Sequence, residues 1–225
     1  MLMWLMFNNT TEIHIISLFP ESVKSYLNTS IMQRAQEKGL FSYFVYNLTD
    51  WTVRNTRRVD DRPYGWGAGT LITIKPLVQC IRDIVSQYGS MPILLTSPRG
   101  EILTQSIASD LVQESDKYII ICWHYEWVDA RIFDIFNVRE ISIGEYVLSS
   151  GELASLVIID SIVRLIPWVL SSESLREESY AEWLDGKKEY PQYSRPEVFE
   201  WFSVPEVLLS GDLKKIKKWK IDNLL

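Results

Sequence analysis

Short apolar runs rich in β-branched residues alternate with helical stretches along most of this chain, and that alternation is the tightest constraint on its fold. The runs fall at residues 12–19, 40–46, 92–96, 118–122 and 140–143. Between them the pattern predicts helices. Pro20 and Glu21 open a helical stretch that closes near Gly39, and Pro76 starts another with Leu77, Ile81, Ile84 and Val85 on one face and Gly89 as its stop. Further helices are expected at 104–114, 128–136 and 152–166. Strands that alternate with helices run mostly parallel, because each helical crossover carries the chain back to the end of the sheet where the previous strand began, so an α/β fold with helices on both faces of the sheet is expected. Ligands of such sheets bind beyond the carboxyl ends of the strands. The loops there read Thr96-Ser97-Pro98-Arg99-Gly100, then Trp123-His124-Tyr125-Glu126-Trp127, then Gly144-Glu145-Tyr146-Val147-Leu148-Ser149-Ser150-Gly151.

With 225 residues, 47% hydrophobic and 23% charged, the chain can bury a core without metals or disulfides. Its two cysteines, Cys80 and Cys122, have no His or Cys at ligand spacing, so no zinc site or secreted disulfide framework is indicated and a cytoplasmic location is expected. The apolar start at 1–7 lacks a basic flank and a small-residue cleavage site, and the most apolar helix, around 153–166, is interrupted by Asp160 and Arg164; no membrane span is expected. The net charge of −6 argues against an indiscriminate polyanion binder, yet two basic patches stand out. Arg54, Arg57, Arg58 and Arg62 share the segment before Gly69, and Lys214, Lys215, Lys217, Lys218 and Lys220 crowd the C-terminal end. Taken alone, either patch reads as a solvated face. After Pro167 the chain turns polar and charged, which divides it into a domain at 1–170, a flexible linker at 171–189 and a small helical domain at 190–225.

Five strings in order carry a family resemblance: Ile16-Ser17-Leu18-Phe19-Pro20, Val59-Asp60-Asp61-Arg62-Pro63-Tyr64-Gly65, Ser142-Ile143-Gly144-Glu145-Tyr146-Val147-Leu148-Ser149, Tyr193-Ser194-Arg195-Pro196-Glu197-Val198 and Val204-Pro205-Glu206-Val207-Leu208-Leu209-Ser210-Gly211. On these the chain resembles the bacterial tRNA (guanine-N1)-methyltransferases, which modify the guanosine immediately 3′ of the anticodon. The resemblance implies a trefoil-knotted α/β domain of the SPOUT type, S-adenosylmethionine held in the knot loops, Mg2+ as a candidate accessory ion, tRNA as substrate, and a homodimer whose sites are built from both chains. It also implies a C-terminal domain shortened relative to many members.

Methylating guanine N1 requires a base to take the N1 proton and a cation to meet the negative charge that grows at O6. The resemblance places Arg164 at the family's catalytic arginine and Glu178, in Glu178-Ser179-Tyr180, where the family has aspartate. From spacing alone, Arg164 could equally be the helical ion-pair partner of Asp160, and Glu178 a solvated linker residue. The donor pocket is implied to involve Leu95, Ser97, Pro98, Trp123, Glu126, Trp127, Ile143, Gly144, Tyr146, Leu148, Ser150 and Gly151. RNA phosphates are implied to meet Arg54, Arg57, Arg58, Asp60, Lys214, Lys215, Lys217 and Lys218. In the arginine-rich loop, Arg54 and Thr56 replace a family Asp and His.

One imbalance runs through the chain: 9 tryptophans against only 10 glycines. Trp66, Trp123, Trp127, Trp168, Trp183 and Trp201 stand where the family has glycine, and drift does not choose one replacement so often. The reading is a gene whose UGA codons mean glycine and were written as tryptophan. The alternative is a Trp-rich variant that has repacked around its indoles.

Overall fold

The computed structural model describes residues 10–52 and 55–225, the side chain of Glu182 apart. Two compact units divide the chain, 1–169 and 170–225.

In the first unit β1 (Thr11–Ser17) leads through α1 (Pro20–Leu27) and α2 (Ser30–Glu37) to β2 (Phe41–Asn47). Two-residue strands β3 (Asp60–Asp61) and β4 (Leu71–Ile72) precede α3 (Ile74–Tyr88), β5 (Ile93–Ile102), α4 (Gln105–Glu114) and β6 (Lys117–Ile121). Then come β7 (Trp127–Val128), α5 (Ile132–Ile135), β8 (Val138–Ser142) and α6 (Gly151–Val163). The main sheet has the order β2-β1-β6-β5-β8, and all its pairings are parallel. After β6 the chain turns back past β5 and adds β8 on the far side, so the direction of strand addition reverses at β5. Crevices form at such reversals because the loops on either side diverge.

Side chains leave a strand on alternate faces, and this alternation splits the core in two. Ile13, Ile15, Leu94 and Ile120 pack on one face against Val23 and Leu27 of α1, Met32 of α2 and Ile158, Ile159 and Ile162 of α6. Ile16, Ile93, Leu95, Ile119 and Ile121 pack on the other against Leu77, Ile81 and Ile84 of α3. His14 shares this second direction and is fully buried, its ring bridged by the Tyr46 hydroxyl at 2.8 Å and Glu12 Oε1 at 2.9 Å. Burial pushes its pKa below the ordinary imidazole value, although the Glu12 carboxylate pulls the other way.

Several elements differ from the sequence expectation. The single helix expected from Pro20 to Gly39 is two, because Asn28, Thr29 and Ser30 offer side-chain alternatives to the helical ladder; the Thr29 hydroxyl donates to the Tyr26 carbonyl at 2.7 Å. The helix expected at 128–136 keeps only its last turn. Trp127 and Val128 pair instead with Leu71 and Ile72, and the Asp129 carboxylate accepts from the Arg131 amide at 3.1 Å and its guanidinium at 2.9 Å, delaying the helix start. The strand at 92–96 runs on to Ile102, with an irregularity between Thr96 and Glu101 that lifts Ser97–Gly100 out of the ladder with β8.

The second unit holds α7 (Ser172–Arg176), a 3₁₀ turn (Glu182–Leu184), an antiparallel pair β9 (Val198–Phe199) and β10 (Phe202–Ser203), and helices α8 (Glu206–Leu209) and α9 (Leu213–Asp222). The stretch 171–189, expected as a flexible linker, is part of this fold. Leu184 is buried, Lys188 and Leu225 exchange two backbone hydrogen bonds, and Glu177 accepts from both Lys220 Nζ and the Tyr190 hydroxyl at 2.8 Å. The Lys220 ammonium, with that hydroxyl, holds the Glu177 pKa below the usual carboxylate value. A charged composition looks like a linker only until its charges find partners.

Candidate active site

Three loops gather where strand addition reverses. Ser97 and Pro98 lie in the irregular stretch within β5, Trp123 follows β6, and Ile143, Gly144, Tyr146 and Leu148 follow β8; together they wall one cleft. Glu140 sets the first loop, accepting from Ser97 Oγ at 2.7 Å and from the Arg99 guanidinium at 3.1 Å. The third is held by Ser142, whose hydroxyl lies 3.0 Å from the Gly144 carbonyl and 3.2 Å from its amide, and by the Tyr146 hydroxyl, which donates to the Ile143 carbonyl at 3.1 Å. Gly144 has φ +151°, a conformation side chains rarely adopt.

Gly151 joins the second and third loops. Its amide donates to the Trp123 carbonyl at 2.8 Å, and a Cβ there would meet the Trp123 nitrogen at 2.6 Å and the Thr96 hydroxyl. Gly151→Ala is therefore expected to push α6 off the β6 loop and destabilise the fold by about 1–3 kcal/mol, read as a lower urea midpoint. An unchanged midpoint would show that this contact is slack. One residue further on, Glu152 is buried; its Oε1 accepts from Ser17 Oγ at 2.7 Å, while Oε2 has no hydrogen-bond partner among the described residues. Glu140, Ser17 and Glu152 were missed from the sequence, where each reads as an ordinary strand or helix-start residue.

The loops suit an adenosine-bearing donor in kind: apolar walls, small polar groups and backbone at close range. Their volume does not. The cleft measures 20 Å³, roughly room for one water. Trp123 is the bulky wall, packed into the second core cluster with its ring centroid 6.4 Å from that of Trp127.

The remaining expected donor residues lie around this cleft rather than in its lining. Leu95 is buried in the sheet and belongs to the second core cluster. Glu126 is exposed and lies against Gly69, its amide donating to the Thr70 carbonyl at 2.9 Å. Trp127 sits in β7 under the Arg99 guanidinium, 4.5 Å from the ring centroid, and its indole N–H is buried without a hydrogen-bond partner among the described residues. Ser150 is the N-cap of α6, but its side chain makes no capping bond.

Among the expected RNA contacts, Arg54 lies outside the described residues. Arg57 has φ +56° and donates to Asp50 and Thr49. Arg58 grips Asp60 with two bonds, of 2.8 and 3.0 Å, and so holds the Asp60 pKa below its ordinary value. Lys214, Lys215, Lys217 and Lys218 are exposed along α9, whose N-cap Asp212 accepts from the amides of Lys214 and Lys215. Arg164 is the half-buried C-cap of α6 in the first unit, and Asp160, its suggested helical partner, accepts from the Tyr26 hydroxyl at 3.0 Å. Glu178 follows α7 in the second unit. Among the described residues no group of three or more His, Cys, Asp or Glu side chains is placed to hold a metal ion.

The six tryptophans divide by backbone. Trp66 (φ +62°) and Trp168 (φ +73°) occupy the left-handed region. Trp123, Trp127, Trp183 and Trp201 do not.

Comparison with known proteins bears directly on these loops. A family model described as tRNA (Guanine-1)-methyltransferase TrmD matches residues 11–225. A curated tRNA (guanine-N(1)-)-methyltransferase of Clostridioides difficile is 44% identical over 210 residues, covering 92% of this chain and 89% of the relative. One from Caldicellulosiruptor saccharolyticus is 47% identical over 206 residues, covering 92% and 82%. The crystal structure of the tRNA (m1G37) methyltransferase from Aquifex aeolicus superposes with a TM-score of 0.78 at 33% identity, covering 95% of this chain and 88% of that one. A match across both units, at this identity and with the same architecture, leaves one conclusion: the chain belongs to the tRNA (guanine-1)-methyltransferase family TrmD.

Proposed function

We propose that this protein methylates N1 of the guanosine 3′ of the anticodon, position 37, in tRNA, with S-adenosylmethionine as donor. The observation that carries the reading is the family match over residues 11–225, in a chain whose three carboxyl-end loops meet in one cleft at the strand-order reversal. S-adenosylmethionine, when bound, supplies the methyl carbon. The chain's own residues do the rest: Glu178 takes the N1 proton, Arg164 faces O6 as its charge grows, and the loops exclude water. Such a base contributes roughly 10²- to 10⁴-fold and such a cation roughly 10²- to 10³-fold. Mg2+ is assigned no protein ligands. The basic segment at 57–58 and the lysines of α9 serve as phosphate contacts. In this reading the donor loops are tied in the family's trefoil knot and the enzyme works in the cytoplasm; no helix among the described residues is long and apolar enough to cross a membrane.

A homodimer completes the site. Its support is α6, which leaves Leu153 and Val157 58% and 41% exposed one turn apart on its outer face. The test is transfer of labelled methyl from S-adenosylmethionine to tRNA transcripts with G37 or A37, with the product nucleoside identified and the mass measured by light scattering. Label appearing as N1-methylguanosine in the G37 transcript alone, from a dimer, is expected. Label in another base would make this a different RNA methyltransferase, and tRNA binding without transfer would make it an inactive homologue. A stable monomer at micromolar concentration would overturn the dimer.

A further inference from the structure

A second and much larger cleft lies within the first unit, outside the donor loops. It measures 960 Å³ and opens between the segment around Arg58–Tyr64, the N-terminal half of α3 and the turn after β7. Five cations line it, Arg58, Arg62, Lys75, Arg82 and Arg131, against the carboxylates of Asp61 and Asp129. Arg58 is tied to Asp60 and Arg131 to Asp129. Arg62, Lys75 and Arg82 are exposed and form no ion pair among the described residues. In a chain of net charge −6 this is a concentrated positive field, and a concave wall focuses it further. Lys75 and Arg82 stand seven residues apart on α3, two turns along one face and about 10.5 Å apart on its axis. Two aromatic faces complete the lining: Trp51 on the wall, and Tyr64 fully exposed at the rim.

Spaced cations with aromatic faces between them match a polyanion whose bases can stack, which is the chemistry of looped or single-stranded RNA. We propose that this cleft is a track for the substrate RNA backbone, with Arg62, Lys75 and Arg82 on phosphates and Trp51 and Tyr64 against unpaired bases. The inference rests on the reading of tRNA as substrate and extends the phosphate contact proposed at 57–58 along the cleft to α3, on the sheet face opposite α1 and α2.

The test compares tRNA binding by fluorescence anisotropy over a series of KCl concentrations for the parent, for Lys75→Ala/Arg82→Ala, and for Lys24→Ala/Arg34→Ala, which removes equal charge from α1 and α2. Two lost phosphate contacts should flatten the slope of log affinity against log salt by about 1.5 and weaken binding at least about fivefold near 0.1 M salt. The KM for tRNA should rise while kcat and the melting temperature stay at parental values. The control pair should leave the slope unchanged. A cleft variant with the parent's slope and affinity, or changed no more than the control, overturns the track and leaves the methyltransferase reading intact. A parent that binds no tRNA overturns both. A change in mass by light scattering at unchanged tRNA affinity would make the cleft a surface between copies and equally overturn the proposal.

Discussion

Glu178→Gln and Arg164→Ala are each expected to slow methyl transfer by at least about 100-fold in single-turnover assays, the low end for a lost base or a lost oxyanion partner. The amide of Gln keeps the shape of the Glu side chain but cannot accept the N1 proton, and Ala leaves the charge at O6 without a cation. Neither residue lines the donor cleft, so donor affinity should stay close to that of the parent. This split separates a chemical role from a structural one, because a variant that merely loosened the fold would lose donor binding and melting temperature together. Glu178→Asp adds a finer test. It restores the shorter acid that the resemblance implies at this position, and it should keep most of the rate if the carboxylate itself is what matters. Parental single-turnover rates in Glu178→Gln would remove Glu178 as the base.

The chain with glycine at 66, 123, 127, 168 and 201 is expected to melt higher and to bind S-adenosylmethionine better than the chain as written. The structure assigns the two gains to different positions. Trp66 and Trp168 carry a side chain in the left-handed region, at roughly 1–2 kcal/mol each, and both indoles are largely exposed, so little burial offsets the strain. Trp66→Gly/Trp168→Gly alone should therefore raise the melting temperature by several degrees, at about 2–4 °C per kcal/mol for a chain of this size. Trp123 and Trp127 have ordinary backbones, and Trp123 is buried in the core, so glycine there gives up apolar burial. The gain in donor binding is expected from Trp123, whose indole walls the 20 Å³ cleft, while Trp127 only packs beside it. Trp201 is 95% exposed without left-handed backbone, and its replacement should change little. Equal melting and equal donor binding in the two chains would defeat the reading of these tryptophans as recoded glycines and favour a repacked, Trp-rich site.

The alternation of apolar runs and helices was legible because both periods are local: a strand repeats every two residues and a helix every three to four. That is enough to predict five parallel strands, the helices at Pro76 and 104, and the three loops that meet at the cleft. The motif strings added the family, because five of them in order leave little freedom. The sequence by itself did not determine features that depend on which distant residues become neighbours. The fate of Trp127 and Val128 turned on pairing with Leu71 and Ile72, more than fifty residues earlier. The charged stretch 171–189 became structure because Lys220 and Tyr190 reach Glu177. The strand order β2-β1-β6-β5-β8 is likewise a set of long-range pairings, and it is this order that brings Ser97, Trp123 and Ile143 together. Even the cost of a tryptophan at a glycine position was a tertiary question: the same residue is strained at 66 and 168, walls a cleft at 123 and stands free in solvent at 201, because backbone angle and surroundings, not residue type, set the energy.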